Sequence, residues 1–144
     1  YPKFHKMDTL CKAGFVAAEL LLMAEGKIRF EECENRAVVL FNRASSLNAD
    51  RKHQQSIQNM EDFYPSPAVF VYTLPNIITG EIAIRNKYYG ETSFYVLADK
   101  NEELMKEICV SAFEDKMTQS MITGWVDCED DDNFEVDMSI REKK

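Results

Sequence analysis

Few residues in this chain of 144 are equipped for covalent chemistry. Nucleophilic catalysis needs a nucleophile, a base and a group that orients the base, and the base is most often histidine. Only His5 and His53 are present, one close to Tyr1 and one in the charged run Arg51-Lys52-His53-Gln54-Gln55. Both read as solvated surface imidazoles. Cys11, Cys33, Cys109 and Cys128 form no CxxC pair and have no histidine nearby, so they read as reduced thiols of a cytoplasmic protein. Cys109 stands between Ile108 and Val110 in a helical stretch, where a thiol is inert packing. The run Glu129-Asp130-Asp131-Asp132 offers oxygens to a hard cation, yet it lacks the alternating acids and central glycine of a calcium loop. It reads as a solvated turn that also keeps a sheet edge from associating. No Walker loop or GxGxxG is present, and the expectation is no metal and no cofactor.

The elements that must carry these residues follow from hydrophobic spacing. Met7, Leu10, Cys11, Gly14, Ala17, Ala18 and Leu21 recur at helical intervals, with Asp8 placed to cap the first turn. That face is rich in small residues, so another element must pack closely on it. Ala37–Phe41 is an unbroken apolar run, the mark of a strand covered on both faces. Ser45–Asn48 reads as loop and Ala49–Met60 as a polar surface helix. Phe63–Tyr72 stays open between an extended stretch and a short helix. Pro75 suits a first helical turn, with Leu74, Ile78 and Ile82 four apart; Gly80 would admit another backbone and Gly90 would stop the helix. Ser93–Ala98 is a second buried-type strand. Asn101–Lys116 is a helix with Leu104, Ile108 and Ala112 on one stripe and Met105, Cys109 and Phe113 beside it. Met117–Val126 is a third strand. Phe134, Val136, Met138 and Ile140 alternate with polar residues in a fourth, a sheet edge. Strands alternating with helices predict an α/β domain with a mostly parallel sheet.

Composition agrees with one domain over residues 1–144. Hydrophobic residues are 45% and charged residues 29%, and surface scaling buries about two-thirds of the chain's surface without help from metal or disulfide. Seventeen Lys+Arg against 25 Asp+Glu leave a formal charge of −8. That sign opposes phosphate neutralisation and an acidic lipid surface, so neither nucleic acid nor membrane is expected as a partner. No stretch approaches the ~18 apolar residues that span a bilayer. Tyr1–His5 is not a signal peptide, and without an initiator Met the native chain could extend before Tyr1.

Pro75-Asn76-Ile77-Ile78-Thr79-Gly80-Glu81-Ile82-Ala83-Ile84-Arg85, followed by Gly90, resembles the N-terminal half of β-ketoacyl-acyl-carrier-protein synthases. In that family an Asn and a Gly mark a buried helix before the nucleophile strand. Ser66-Pro67 is similar to the family's Ser-Pro element, Ser45–Asp50 to the loop after its second strand, and the helix from Met7 to its first helix. The resemblance covers about Met7–Val126. It implies half of a thiolase-like fold, a three-layer α/β/α domain with a mostly parallel sheet and an antiparallel edge strand.

Family members condense acyl chains with a cysteine nucleophile and two histidines from a second half. Counting from Gly90 through the next strand, the nucleophile's position falls on Asp99, which forms no acyl thioester. Lys100-Asn101-Glu102 replaces the small turn that follows, and the second half is absent. The helix after the nucleophile, apolar nearly all round in the family, here carries Glu102, Glu103, Lys106, Glu107, Glu114, Asp115 and Lys116. Burying one unpaired charge costs several kcal/mol, so this helix must keep one wet face, as a half-fold standing alone would, or one whose partner covers only part of the helix. The resemblance therefore implies a non-catalytic ketosynthase-like protein, an accessory or assembly partner in a carrier-protein-dependent fatty-acid or polyene-type pathway. Its partners would be a second copy, an intact ketosynthase or an acyl carrier protein. Arg85 and Lys87, or Arg51 and Lys52, are the basic candidates for a carrier. Family subunits pair through the nucleophile strand, and Ser93-Phe94-Tyr95-Val96-Leu97-Ala98 has no Pro or charge to protect an open edge, so a two-fold homodimer is expected. The alternatives are an acyl-chain or small-molecule binding module near Asp99, Phe94 and Tyr95, and an enzyme using Asp99 as acid or base.

Overall fold

A computed structural model describes residues 1–144. The apolar run near residue 37 lies where it can be covered twice. β1 (Arg36–Asn42) is buried at every position. It is flanked by two parallel strands, β2 (Thr92–Val96) and β3 (Ser120–Asp130), and β4 (Asn133–Glu142) runs antiparallel along β3. The sheet order is β2-β1-β3-β4. Successive side chains of β1 point to opposite faces: Val38 and Leu40 join one apolar cluster, while Ala37, Val39 and Phe41 join another.

The first cluster is closed by α1 (Thr9–Glu25), α2 (Leu47–Ile57) and α4 (Ile77–Asn86). The second is closed by α5 (Glu102–Ala112) alone. The fold is therefore three-layer α/β/α, mostly parallel with one antiparallel edge, as expected. Asp8 caps α1, its Oδ1 accepting from the Cys11 backbone N–H at 2.9 Å. The small face of α1 has a definite neighbour: a Cβ at Gly14 would run into the Ile78 side chain of α4. A 3-10 turn, Pro2–Lys6, packs onto α1 through Tyr1 and Phe4, whose rings lie 5.0 and 6.0 Å from that of Phe15.

Several local expectations need correction. Phe63–Tyr72 resolves in favour of a short helix, α3 (Pro67–Val71), with Ser66 as its N-cap. The polar surface helix starts at Leu47, not Ala49. α4 begins after Asn76 and ends with Lys87 in the left-handed region at φ 57°. Gly90 therefore stops no helix. A Cβ there would meet the Arg36 carbonyl oxygen at 2.5 Å, so it serves a close backbone approach beside β1. Gly80 shows the reverse, for a Cβ there would meet nothing within 4 Å. The buried stripe of α5 is Met105, Cys109 and Ala112 with Ile108 and Phe113, while Leu104 is 38% exposed. The opposite face carries Glu102, Glu103, Lys106 and Glu107, all exposed.

Candidate functional site

The chain leaves β1 toward the α1 and α4 layer and leaves β2 toward α5, so adjacent strands diverge at their carboxyl ends. Ligand crevices of open α/β sheets form at such divergences. A groove of about 420 Å³ lies at this end of the sheet. Arg43 comes from just after β1, Asp99 and Lys100 from just after β2, Trp125, Asp127 and Glu129 from β3, and Asn133, Phe134 and Glu135 from the next hairpin arm.

Local hydrogen bonds fix these positions. The buried Asn42 amide donates to the Ser45 carbonyl and accepts from the Ser45 N–H, both at 2.9 Å, which shapes the turn carrying Arg43. Asp127 accepts from the Ala44 N–H at 2.9 Å and the Arg43 N–H at 3.3 Å. On the β2 side, the Asn101 N–H donates to the Asp99 carbonyl at 2.9 Å, and the Asn101 side chain caps α5 by accepting from the Leu104 N–H. The groove's cations are occupied. Arg43 pairs with Glu129 at 2.6 Å, and Lys100 with Asp137 at 3.0 Å and Glu135 at 3.3 Å. These contacts hold Lys100 above its usual pKa, first through the Asp137 hydrogen bond. Asp99 is exposed on its turn.

No thiol or imidazole lines this groove. Cys109 is buried, its Sγ 3.2 Å from Thr123 Oγ1. Burial pushes the Cys128 thiol up to about 11 and raises Cys11 further. His5 sits in the 3-10 turn, and His53 packs its ring 5.3 Å from that of Phe70. No group of three or more His, Cys, Asp or Glu side chains is gathered to hold a metal ion.

The other residues singled out by sequence are dispersed. Ser66 Oγ accepts from the Val69 N–H at 3.4 Å, Pro67 fills the first turn of α3, and the Asn76 carbonyl accepts from Thr79 Oγ1 at 2.8 Å. The basic candidates are engaged within the chain. Arg85 stacks 4.5 Å from the Phe30 ring, Lys87 donates to the Phe30 carbonyl, Arg51 donates to the Glu129 carbonyl, and Lys52 pairs with Asp131 at 2.8 Å. The acidic run is likewise more than a solvated turn. Asp131 also accepts from Thr9 Oγ1 and Asn48 Nδ2, while Asp130 binds the turn through Asn133. Sequence reasoning missed this latch because its partners stand about 80 and 122 positions away.

The expected buried-type strand Ser93–Ala98 needs correction: β2 is Thr92–Val96, none of its residues is buried, and it pairs with β1 on one side only because it is the sheet's edge. The residues differ in orientation: Phe94 packs toward the first cluster, Tyr95 and Leu97 toward the second, and Val96 is 51% exposed. Ser93 is half-buried and Ala98 exposed.

No family model matches the sequence, and no curated protein matches it significantly. Solved structures do share the fold. One is described as the ishigamide ketosynthase/chain length factor, with a TM-score of 0.68 and 23% identity over 85% of this chain and 35% of that chain. Another is the ketosynthase ApeO in complex with its chain length factor ApeC from Xenorhabdus doucetiae, with a TM-score of 0.67 and 13% identity over 88% and 48%. The fold is that of half a thiolase-like ketosynthase, and the chain spans a third to a half of the chains it matches.

Proposed function

We propose that the protein is a non-catalytic ketosynthase-like accessory protein of an acyl-carrier-protein-dependent pathway of polyketide or polyene type, working in the cytoplasm beside a ketosynthase. The observation that carries this reading is the residue on the turn between β2 and α5. Asp99 is an exposed carboxylate on that turn, with no imidazole in the groove beside it, and counting along the resemblance puts the family's cysteine at this position. A carboxylate there forms no acyl thioester. The chain supplies the shared scaffold and a β2 edge paired on one side only, and the resemblance implies that subunits pair along that strand. Both structural neighbours are described by a ketosynthase together with a chain length factor, which favours a ketosynthase over a second copy as the strand's partner.

The binding-module reading needs an apolar pocket beside Asp99, Phe94 and Tyr95, whereas most of the groove's lining is charged. The enzyme reading needs a free second functional group beside Asp99, whereas Arg43 and Glu129 pair with each other, Lys100 pairs with Glu135, and Asp127 accepts from the Arg43 and Ala44 N–H groups. Incubation with acyl- and malonyl-loaded carrier protein, followed by intact-mass and product analysis, tests the proposal. Unchanged mass and no condensed product are expected; a covalent acyl adduct or a new carbon–carbon bond overturns it.

A further inference from the structure

Eight of the chain's 17 Lys and Arg side chains pair with carboxylates. Four of the other nine line one cavity: Lys106 on α5, Arg141 near the end of β4, and Lys143 and Lys144 beyond it, with the Lys143 Nζ also donating to the Asp115 carbonyl at 2.9 Å. The cavity has a volume of about 570 Å³, within the range of roughly 300–1,000 Å³ typical of small-molecule sites. Its walls are largely apolar, built from Val110, Phe113 and the methylene stems of the four cations. Of the lining residues only Glu114 and Glu142 carry negative charge, and Glu142 is already engaged by Lys27 at 3.5 Å, while Lys106 and Arg141 also border the adjoining groove that holds Glu102, Glu103 and Asp137. Over this lining alone four cations face two carboxylates, a sign opposite to that of the whole chain.

We propose that this cavity binds a single-chain amphiphile with a carboxylate head group. The head would sit between Arg141 and Lys106, since a guanidinium matches a carboxylate with two parallel hydrogen bonds. The tail would cover Val110, which is 57% exposed, and Phe113. The site lies at the end of α5 opposite Asp99, so it is separate from the groove described above and independent of the ketosynthase reading.

Titration calorimetry of the full chain at neutral pH tests this with decanoate below its aggregation threshold, decyltrimethylammonium and acetate. Saturable binding of one decanoate is expected, with no saturation by the other two. Arg141→Gln with Lys106→Gln should weaken decanoate at least about tenfold, the loss of one charge-assisted contact. Val110→Asp, at an exposed position, should do the same without changing the urea midpoint of the free protein. Absence of decanoate binding, equal binding of acetate or of the cationic amphiphile, or variants that bind as the parent does would overturn the proposal. Adsorption to phosphatidylglycerol vesicles without binding of monomeric decanoate would also overturn it, assigning the patch to a lipid surface.

Discussion

The Tyr95 ring of β2 lies 5.5 Å from the Phe41 ring of β1 at an interplanar angle of 23°, which pins the edge strand to the sheet from the α5 side. On the backbone, the Leu97 N–H donates to the Asn42 carbonyl and the Glu91 carbonyl accepts from the Val38 N–H. The alternation of a parallel ladder then turns the N–H and C=O groups of Phe94 and Val96 toward the open edge. Tyr95→Ala should cost about 2–3 kcal/mol by loss of packing and stacking. Val96→Pro removes only an outward N–H and should stay within about 1 kcal/mol of the parent. Urea unfolding of both variants checks the contrast, and equal losses would contradict it.

Two glycines should respond with opposite signs. Gly90→Ala forces a Cβ against the Arg36 carbonyl and the Ala37 nitrogen, at 2.5 and 2.8 Å, with backbone on both sides. It should destabilise by about 1–3 kcal/mol. Gly80→Ala fills open space inside α4 and should stabilise by about 0.5–1 kcal/mol through helix propensity. Denaturant midpoints decide both.

The thiols should separate cleanly by exposure. Cys33 is exposed, while Cys11, Cys109 and Cys128 are buried. Iodoacetamide at mildly alkaline pH should add one group to the folded chain, at Cys33, and modify all four cysteines in urea. Intact mass reads the count. Rapid modification of Cys109 in the folded chain would contradict its packing role.

The layers were legible in the sequence because burial leaves a direct signature. The doubly covered run at Ala37–Phe41 and the half-covered alternation of β4 announced their places in the sheet. Charge on α5 foretold its wet face, although the stripe lies one position around from the expected one, so that Met105 is inward and Leu104 is not. Beyond shifted element ends such as the start of α2 at Leu47, the errors concern relations between distant segments. Gly90 answers to Arg36, and the acidic run answers to Lys52, Thr9 and Asn48; no local pattern encodes either pairing. Asp99 was placed by counting along a resemblance, and the cavity at the far end of α5 has no sequence motif at all.

Asp131 should give the chain a modest acid sensitivity. Its hydrogen bonds to Lys52, Thr9 and Asn48 hold its carboxyl well below the usual range. A group depressed in the folded state contributes stability that is present above its unfolded pKa of about 3.9 and fades as pH falls through its folded value. With the Lys52 and Asp131 side chains 44% and 53% exposed, solvent screening limits the contribution to about 0.5–1 kcal/mol. Asp131→Asn should therefore lose about that much at pH 7, and the gap from the parent should shrink below about pH 4. Urea midpoints at both pH values check it; a gap that widens in acid would contradict the latch.

The central claim is that β2 offers its free edge to a ketosynthase. Native mass spectrometry of this chain mixed with a ketosynthase of the same pathway tests it directly, with Val96→Pro as the matched control. The account predicts a one-to-one complex for the parent that Val96→Pro abolishes while remaining folded. A parent that stays monomeric, or a complex that Val96→Pro leaves intact, would contradict it.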